Sequence, residues 1–193
     1  MSSRKINSNI DNPIDTIILD IVDVMNPILY KYNFTPNILT TISLIISLIS
    51  IYFIHLTYYK LGALLLFIGY YFDCSDGDFA RKYNMISKFG DYYDHIADIS
   101  KMVLLYIIIY KSNLNNQTKI TFLITSIIFA FLMTIHFGCQ EKYYNKPSSL
   151  DLTKKLCIDK KYIKYTRFFG CGTFFIITCS YIFNMKYINS LFS

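Results

Sequence analysis

Tryptophan is absent from these 193 residues. If the chain meets a membrane surface, its aromatic belt must come from another ring, and the 18 tyrosines are the material at hand. No C-x-x-C pair and no Cys/His cluster occurs. That argues against a zinc or dithiol site and predicts that the five cysteines, Cys74, Cys139, Cys157, Cys171 and Cys179, are free thiols. Residues 1–13 contain no apolar run, so no cleavable signal peptide is expected. Charge is scarce: 17% of residues are charged against 53% hydrophobic, with a mean hydropathy of +0.35. That balance excludes an ordinary soluble domain and predicts an all-α, integral membrane helical bundle. The net charge of +6 is therefore better used to orient membrane helices than to argue for nucleic acid, and no nucleic-acid partner is expected.

What is present reads as helix after helix. The first residues, Met1 to Asn9, read as a loose tail. Asp11-Asn12-Pro13 is a helix start, and Ile14, Ile17, Ile18, Ile21, Met25, Ile28 and Leu29 follow at helical spacing. Asp15, Asp20 and Asp23 interrupt that apolarity, so this amphipathic helix should lie along the membrane surface. Thr35-Pro36 opens the next element. Residues 1–35 form a tail and juxtamembrane helix, and 36–193 a transmembrane domain. About five spans are expected: Asn37 to Leu56, Leu61 to Phe72, Tyr92 to Tyr110, Ile120 to Phe137 and Tyr165 to Met185. The stretch from Gln140 to Lys164 is polar and rich in lysine.

Basic residues divide unevenly between the two sides of that topology. One side holds Arg4, Lys5, Lys31, Arg81, Lys82, Lys88, Lys142, Lys146, Lys154, Lys155, Lys160, Lys161, Lys164 and Arg167. The other holds Lys60, Lys111, Lys119 and Lys186, and Lys101 falls inside a span. The positive-inside rule then puts the N-terminus in the cytoplasm and, with an odd number of spans, the C-terminus opposite.

Acids concentrate in one stretch, DCSDGDFARKYNMISKFGDYYDHIAD, from Asp73 to Asp98. Asp73 and Asp76 share one helix face at i, i+3, and Asp94 and Asp98 share another at i, i+4. Two such helices side by side aim four carboxylates at one point, which demands cations or a function. With no cysteine cluster nearby, hard, oxygen-liking divalent ions are selected, and the four negative charges balance two of them. Gly77 and Ala80 leave a helix surface free of bulky side chains, and Arg81 offers phosphate a fixed fork. Asp91 reads as a helix-start acid and Asp78 as solvated. His55 and His136 have no partner visible in sequence. Lys101, three residues past Asp98, must be paired, neutral or snorkelling, or must point into a pocket.

The spacing D-x2-D-G-x2-A-R-x8-G-x3-D-x3-D resembles the signature of the CDP-alcohol phosphatidyltransferase family, and every fixed position is met. Chance would supply such a match on the order of 10⁻⁸ times per chain. The resemblance implies an enzyme that moves a phosphatidyl group from CDP-diacylglycerol to a small alcohol at the cytoplasmic membrane face, releasing CMP. It implies two Mg²⁺ or Mn²⁺ ions on Asp73, Asp76, Asp94 and Asp98, with Asp98 as the base, and a homodimer. Two metals would clamp the diphosphate of the substrate. Gly77, Ala80, Arg81 and Ser87 match contacts to the CDP moiety, as do Pro36, Asn37 and Thr40 in a P-N-x-x-T element. Lys101, His95 and Arg167 are candidates for the acceptor. The family implies six spans where five are read here. A choline or ethanolamine phosphotransferase, which pairs a CDP-linked alcohol with diacylglycerol, is the nearest alternative, and Asp94-His95 leans slightly that way. An ion-coupled transporter should show a repeat with paired broken helices, which is not seen. A silent scaffold has no reason to keep all four aspartates.

Overall fold

The computed structural model describes residues 4–144 and 150–192. Every regular element among them is helical. In order these are α1 (Pro13–Lys31), α2 (Pro36–His55), α3 (Tyr59–Lys82), α4 (Lys88–Lys111) and α5 (Asn116–Tyr144). Short 3-10 turns and α6 (Ile163–Thr166) lead to α7 (Cys171–Phe183) and α8 (Met185–Leu191). Starts follow the sequence signals. Asn12 caps α1 by accepting from the Ile14 and Asp15 amides, and Thr35 caps α2, each with proline at the first turn. Stops do without glycine. Asn33, Thr57 and Asn84 take positive φ after α1, α2 and α3. The next amide in each case returns to a carbonyl one turn back: Phe34 to Leu29, Tyr58 to Phe53 and Met85 to Ala80.

The tightest seam joins α2 to α3. Thr40, Ser43, Ser47 and Ser50 form a buried stripe on α2. A Cβ at Gly69 would sit 2.4 Å from Ser47 Oγ, so only glycine lets the backbones meet there. Ser50 Oγ donates to the Gly62 carbonyl at 2.7 Å. Small residues and interhelical hydroxyl bonds are how helices associate where no hydrophobic effect separates protein from lipid.

Three helices, α2, α5 and the run Lys160–Phe183, are long and apolar enough to cross a membrane. Together with the all-helical architecture they make this a helical membrane bundle. The fifth expected span needs new bounds. Its continuous helix is only Cys171–Phe183, because Gly170 is extended (φ −71°, ψ −176°). Asn12 Nδ2 ties that break down, donating to the Arg167 carbonyl at 2.6 Å and to Thr173 Oγ1 at 2.8 Å.

The described part of the tail is not loose. Ile6 is buried with Cys139, Cys157 and Ile163. Arg4 meets Asp20 at 2.5 Å, and Lys5 pairs with buried Glu141. Residues 1–3 and Lys146 lie outside the described residues. The cysteine expectation is corrected too. Cys139 and Cys157 form a disulfide, while Cys74, Cys171 and Cys179 are free. Gly138 explains the pairing: a Cβ there would lie 2.2 Å from the Thr153 carbonyl oxygen, so its absence lets the 3-10 turn Asp151–Leu156 fold back onto α5. No spacing rule reveals such a return of the chain.

Candidate active site

α3 and α4 each pack against α2, and α7 packs against α3, so the two acidic helices meet through their long side chains across α2 and not as the packed pair the sequence suggested. Asp73, Asp94 and Asp98 each offer an oxygen within 4.8 Å of the other two. Asp76 stands within electrostatic reach of all three. It is 5% exposed and accepts from Thr40 Oγ1 at 2.5 Å, so Thr40 orients a carboxylate. The family-motif threonine thus faces an acid in this chain. Asn37 and Gly90 bring the starts of α2 and α4 together, since a Cβ on Gly90 would lie 3.1 Å from Asn37 Oδ1. Ser87 caps α4, accepting from the Gly90 amide at 3.0 Å. Pro36 is the first residue of α2.

Arg81 lies over Gly77: a Cβ on that glycine would meet Nη1 at 3.3 Å. The missing side chain makes room for the guanidinium, and Ala80 beside it keeps the surface low. Arg81 Nη2 is 4.0 Å from Asp78 Oδ1. Asp78 itself is corrected from solvated to buried, at 1% exposed. Its Oδ2 accepts from Asn26 Nδ2 at 2.9 Å, and Ser75 Oγ donates to Asn26 Oδ1 at 3.1 Å. Helix α1 therefore packs on α3 and braces it with a buried amide. Nothing about Asn26 in sequence distinguishes it from a surface asparagine.

Lys101 is 1% exposed. Its Nζ donates to Asp73 Oδ1 at 2.7 Å and to Ser43 Oγ at 3.5 Å. It also lies 2.6 Å from Asp98 Oδ1, close enough to pair as an ion though not aligned as a hydrogen bond. Asp94 Oδ1 is buried with no hydrogen-bond partner, while Oδ2 is 3.6 Å from His95 Nδ1. An orphaned carboxylate oxygen among clustered acids is a site in want of a cation, and an all-oxygen donor set suits a hard one.

Arg167 is held elsewhere. Its guanidinium donates to the Asn9 carbonyl, and its Nε is buried without a partner. His136 is buried, with Nδ1 3.2 Å from Thr166 Oγ1. Close by, Asp15 accepts from the Tyr70 hydroxyl, and burial pushes its carboxyl up to about 7. Burial also raises Asp11.

A helical membrane bundle in which acids of two helices converge defines the class: an all-helical membrane protein with a buried carboxylate site. The chain belongs to the CDP-alcohol phosphatidyltransferase family, whose pattern matches residues 33–187. Two curated relatives align with shorter stretches. An uncharacterized protein of Aquifex aeolicus is 35% identical over 68 residues, which is 35% of each chain. The archaetidylinositol phosphate synthase of Pyrococcus horikoshii is 38% identical over 64 residues, 33% of this chain and 34% of that protein. The chain thus spans about a third of the length of the curated relatives it matches. No solved structure matches it significantly.

Proposed function

We propose that this chain is a phospholipid-synthesis enzyme that transfers a phosphatidyl group from CDP-diacylglycerol to a small alcohol and releases CMP. The observation that carries the reading is the convergence of Asp73, Asp94 and Asp98 within 4.8 Å, three of the four acids that the resemblance in sequence marks as metal ligands. Mg²⁺ or Mn²⁺ bound by Asp73, Asp76, Asp94 and Asp98 would supply neutralisation of the substrate's diphosphate charge. Arg81 above Gly77 and Ala80 receives a phosphate oxygen, with Pro36, Asn37 and Ser87 at the adjoining helix starts beside the nucleotide. Asp98 takes the proton of the acceptor hydroxyl as that oxygen bonds to phosphorus. The bond from phosphorus to the CMP oxygen breaks, and CMP departs with the electron pair.

The chain crosses the membrane several times in this reading, with the acids at the cytoplasmic face, as the lysine and arginine distribution supports. Helices α3 and α4, at 24 residues each, are about 36 Å long and can also span. The protein assembles as a homodimer, as the family resemblance implies. His95, beside Asp94, is the candidate to meet the acceptor, and Arg167 joins it only by releasing the Asn9 carbonyl.

The test is CMP release from CDP-diacylglycerol by the purified protein with Mg²⁺, screened against inositol, inositol phosphate, glycerol phosphate, serine, choline and ethanolamine. The name of the Pyrococcus relative puts inositol phosphate first. Acceptor-dependent CMP release is expected. Release only from CDP-choline or CDP-ethanolamine with diacylglycerol would move the chain to the alternative branch. No release with any pair would overturn the reading.

A further inference from the structure

The ammonium of Lys101 is enclosed on every side the structure shows. Asp73 of α3, Asp98 of α4 and Ser43 of α2 surround Nζ at 2.7, 2.6 and 3.5 Å. The Phe175 ring of α7 lies 5.9 Å away on the remaining side. Two of those oxygens accept hydrogen bonds and the third, Asp98 Oδ1, is an ion-pair contact, so three helices surround the ammonium and the residue is 1% exposed. A lysine that snorkelled, or reached toward an acceptor, would leave this nest. Asp73 and Asp98 come from the two halves of the motif, so the ammonium sits where an ion bridging α3 to α4 would have to sit.

We propose that Lys101 is a built-in cation of this site, standing in place of one of the two divalent ions that four carboxylates would otherwise balance. The inference rests on the metal-dependent reading above and changes its stoichiometry: one divalent ion per chain. Three observations agree. Among the described residues one group of three convergent carboxylates offers itself to a metal, Asp73, Asp94 and Asp98. Asp94 Oδ1 and Asp98 Oδ1 are both buried without a hydrogen bond, but Lys101 meets the second as an ion, which leaves the Asp94 side as the side to be filled. Asp76 already spends one oxygen on Thr40. The retained ion sits on the Asp94 side of the three-carboxylate group, whereas a second one, held between Asp73 and Asp98 alone, would have to displace Nζ or lie in contact with it, and like charges at that distance repel strongly. Because Lys101 is tethered to α4, it also holds the two acidic helices in register before any ion arrives. It is a positioning residue in this role and takes no proton.

The experiment counts ions and needs no substrate. Mn²⁺ is titrated into the purified full chain in nanodiscs, with free ion followed by electron paramagnetic resonance and bound ion by elemental analysis. Wild type should saturate at one Mn²⁺ per chain with the six-line spectrum of an isolated ion. Lys101→Met should saturate at two, with a broadened spectrum from coupled neighbours. Lys101→Gln, which keeps a polar side chain without the charge, should also take two, and Lys101→Arg should keep one. Two ions in wild type overturn the proposal, whatever the variants do. One ion in a folded Lys101→Met or Lys101→Gln protein overturns it as well. If one of these neutral variants fails to fold, the other decides. The two readings also fail separately. Loss of CMP release with every substrate pair would remove the transferase reading and leave the count intact, while a count of two in an active enzyme would remove only the role of Lys101.

Discussion

The two ends of the bundle hold their charges differently, with acids and cations mixed at one end and cations alone at the other. At one end lie the acids of the motif, each drawn into a partnership: Asp73 and Asp98 with Lys101, Asp76 with Thr40, Asp78 with Asn26. The other end gathers His55, Lys111 and Lys186 around a cavity of about 370 Å³ together with Asn113 and Asn189. No Asp or Glu stands anywhere in 24–72, 99–140 or 160–193, so that end has cations and nothing to pair them with. Its polar order comes from amides instead. The Asn189 side chain accepts from the Asn115 amide at 2.9 Å, and Asn115 Nδ2 donates to the Asn189 carbonyl at 2.9 Å, which docks α8 on the α4–α5 turn. Paired charge at one end and solvated charge at the other teaches where chemistry is invested. Ionic groups held inside are costly unless they work, whereas lysines at a rim need only water and headgroups.

The sharpest way to break the comparison is at the acidic end. Asp76→Asn removes a charge while keeping the shape and the bond from Thr40. Turnover should fall on the order of 10³-fold, the scale seen when one preorganised electrostatic group is lost. CMP release at saturating Mg²⁺ measures it, and activity within a few-fold of wild type would detach Asp76 from the site.

Much of that end was legible. The offsets of Asp73, Asp76, Asp94 and Asp98 placed them on facing helix surfaces because 3.6-residue periodicity depends on nothing else. The starts at Asn12-Pro13 and Thr35-Pro36 were legible for the same local reason. What stayed hidden depends on a second helix. Asp78 looks solvated until Asn26 arrives from α1. Lys101 could be read as paired or as aimed at the acceptor until Ser43 and Asp73 are placed around it. Cys139 and Cys157 stand 18 apart, and their union depends on Gly138 admitting a 3-10 turn. Ile6 carries no signal in a polar tail. Its place against that disulfide is a tertiary fact.

The next effect concerns the segment that folds back onto the end of α5. Closing an 18-residue loop with a disulfide contributes about 3 kcal/mol by restricting the unfolded chain. Cys157→Ser should lower stability by about that amount, read as a fall in Tm in detergent. Thiol reductant should do the same to wild type and nothing to the variant. Equal Tm values with and without reductant would mean that the folded-back segment does not depend on the bridge.

A pH test separates the ends in another way. Burial, opposed by the Tyr70 hydroxyl, holds the Asp15 carboxyl at about 7, above its ordinary 3.8. The folded state therefore binds this proton more tightly than the unfolded chain. The contribution is fully present below pH 3.8 and is lost as pH rises through about 7, so stability falls across that window. Between pH 5 and pH 7 the loss amounts to about 2 kcal/mol. Asp15→Asn should flatten the dependence of Tm on pH over that range and leave Tm nearly unchanged only below about pH 3.8, where the carboxyl is neutral in both states. An identical slope in both proteins would assign the dependence to other groups, Asp11 first among them.

The smallest effect is expected at the far end. From Tyr59 to Asp73 is fourteen helical steps, about 21 Å along α3. At that distance, with an effective dielectric constant near 20, a unit charge acts on another by about 0.8 kcal/mol before screening. The rim lysines are open to solvent, where the Debye length is about 8 Å, so little of that survives. Lys111→Met and Lys186→Met should each change CMP release by less than about threefold, and the difference should vanish in high salt. The result would sharpen the division, since the same lysine-to-methionine change at Lys101 alters how many ions the site holds. A tenfold loss at Lys111 or Lys186 that persists in salt would show that the cavity at the far end is coupled to the acids through the helices themselves. The cationic rim would then belong to the working machinery, and the bundle could no longer be divided into a chemical end and an anchoring one.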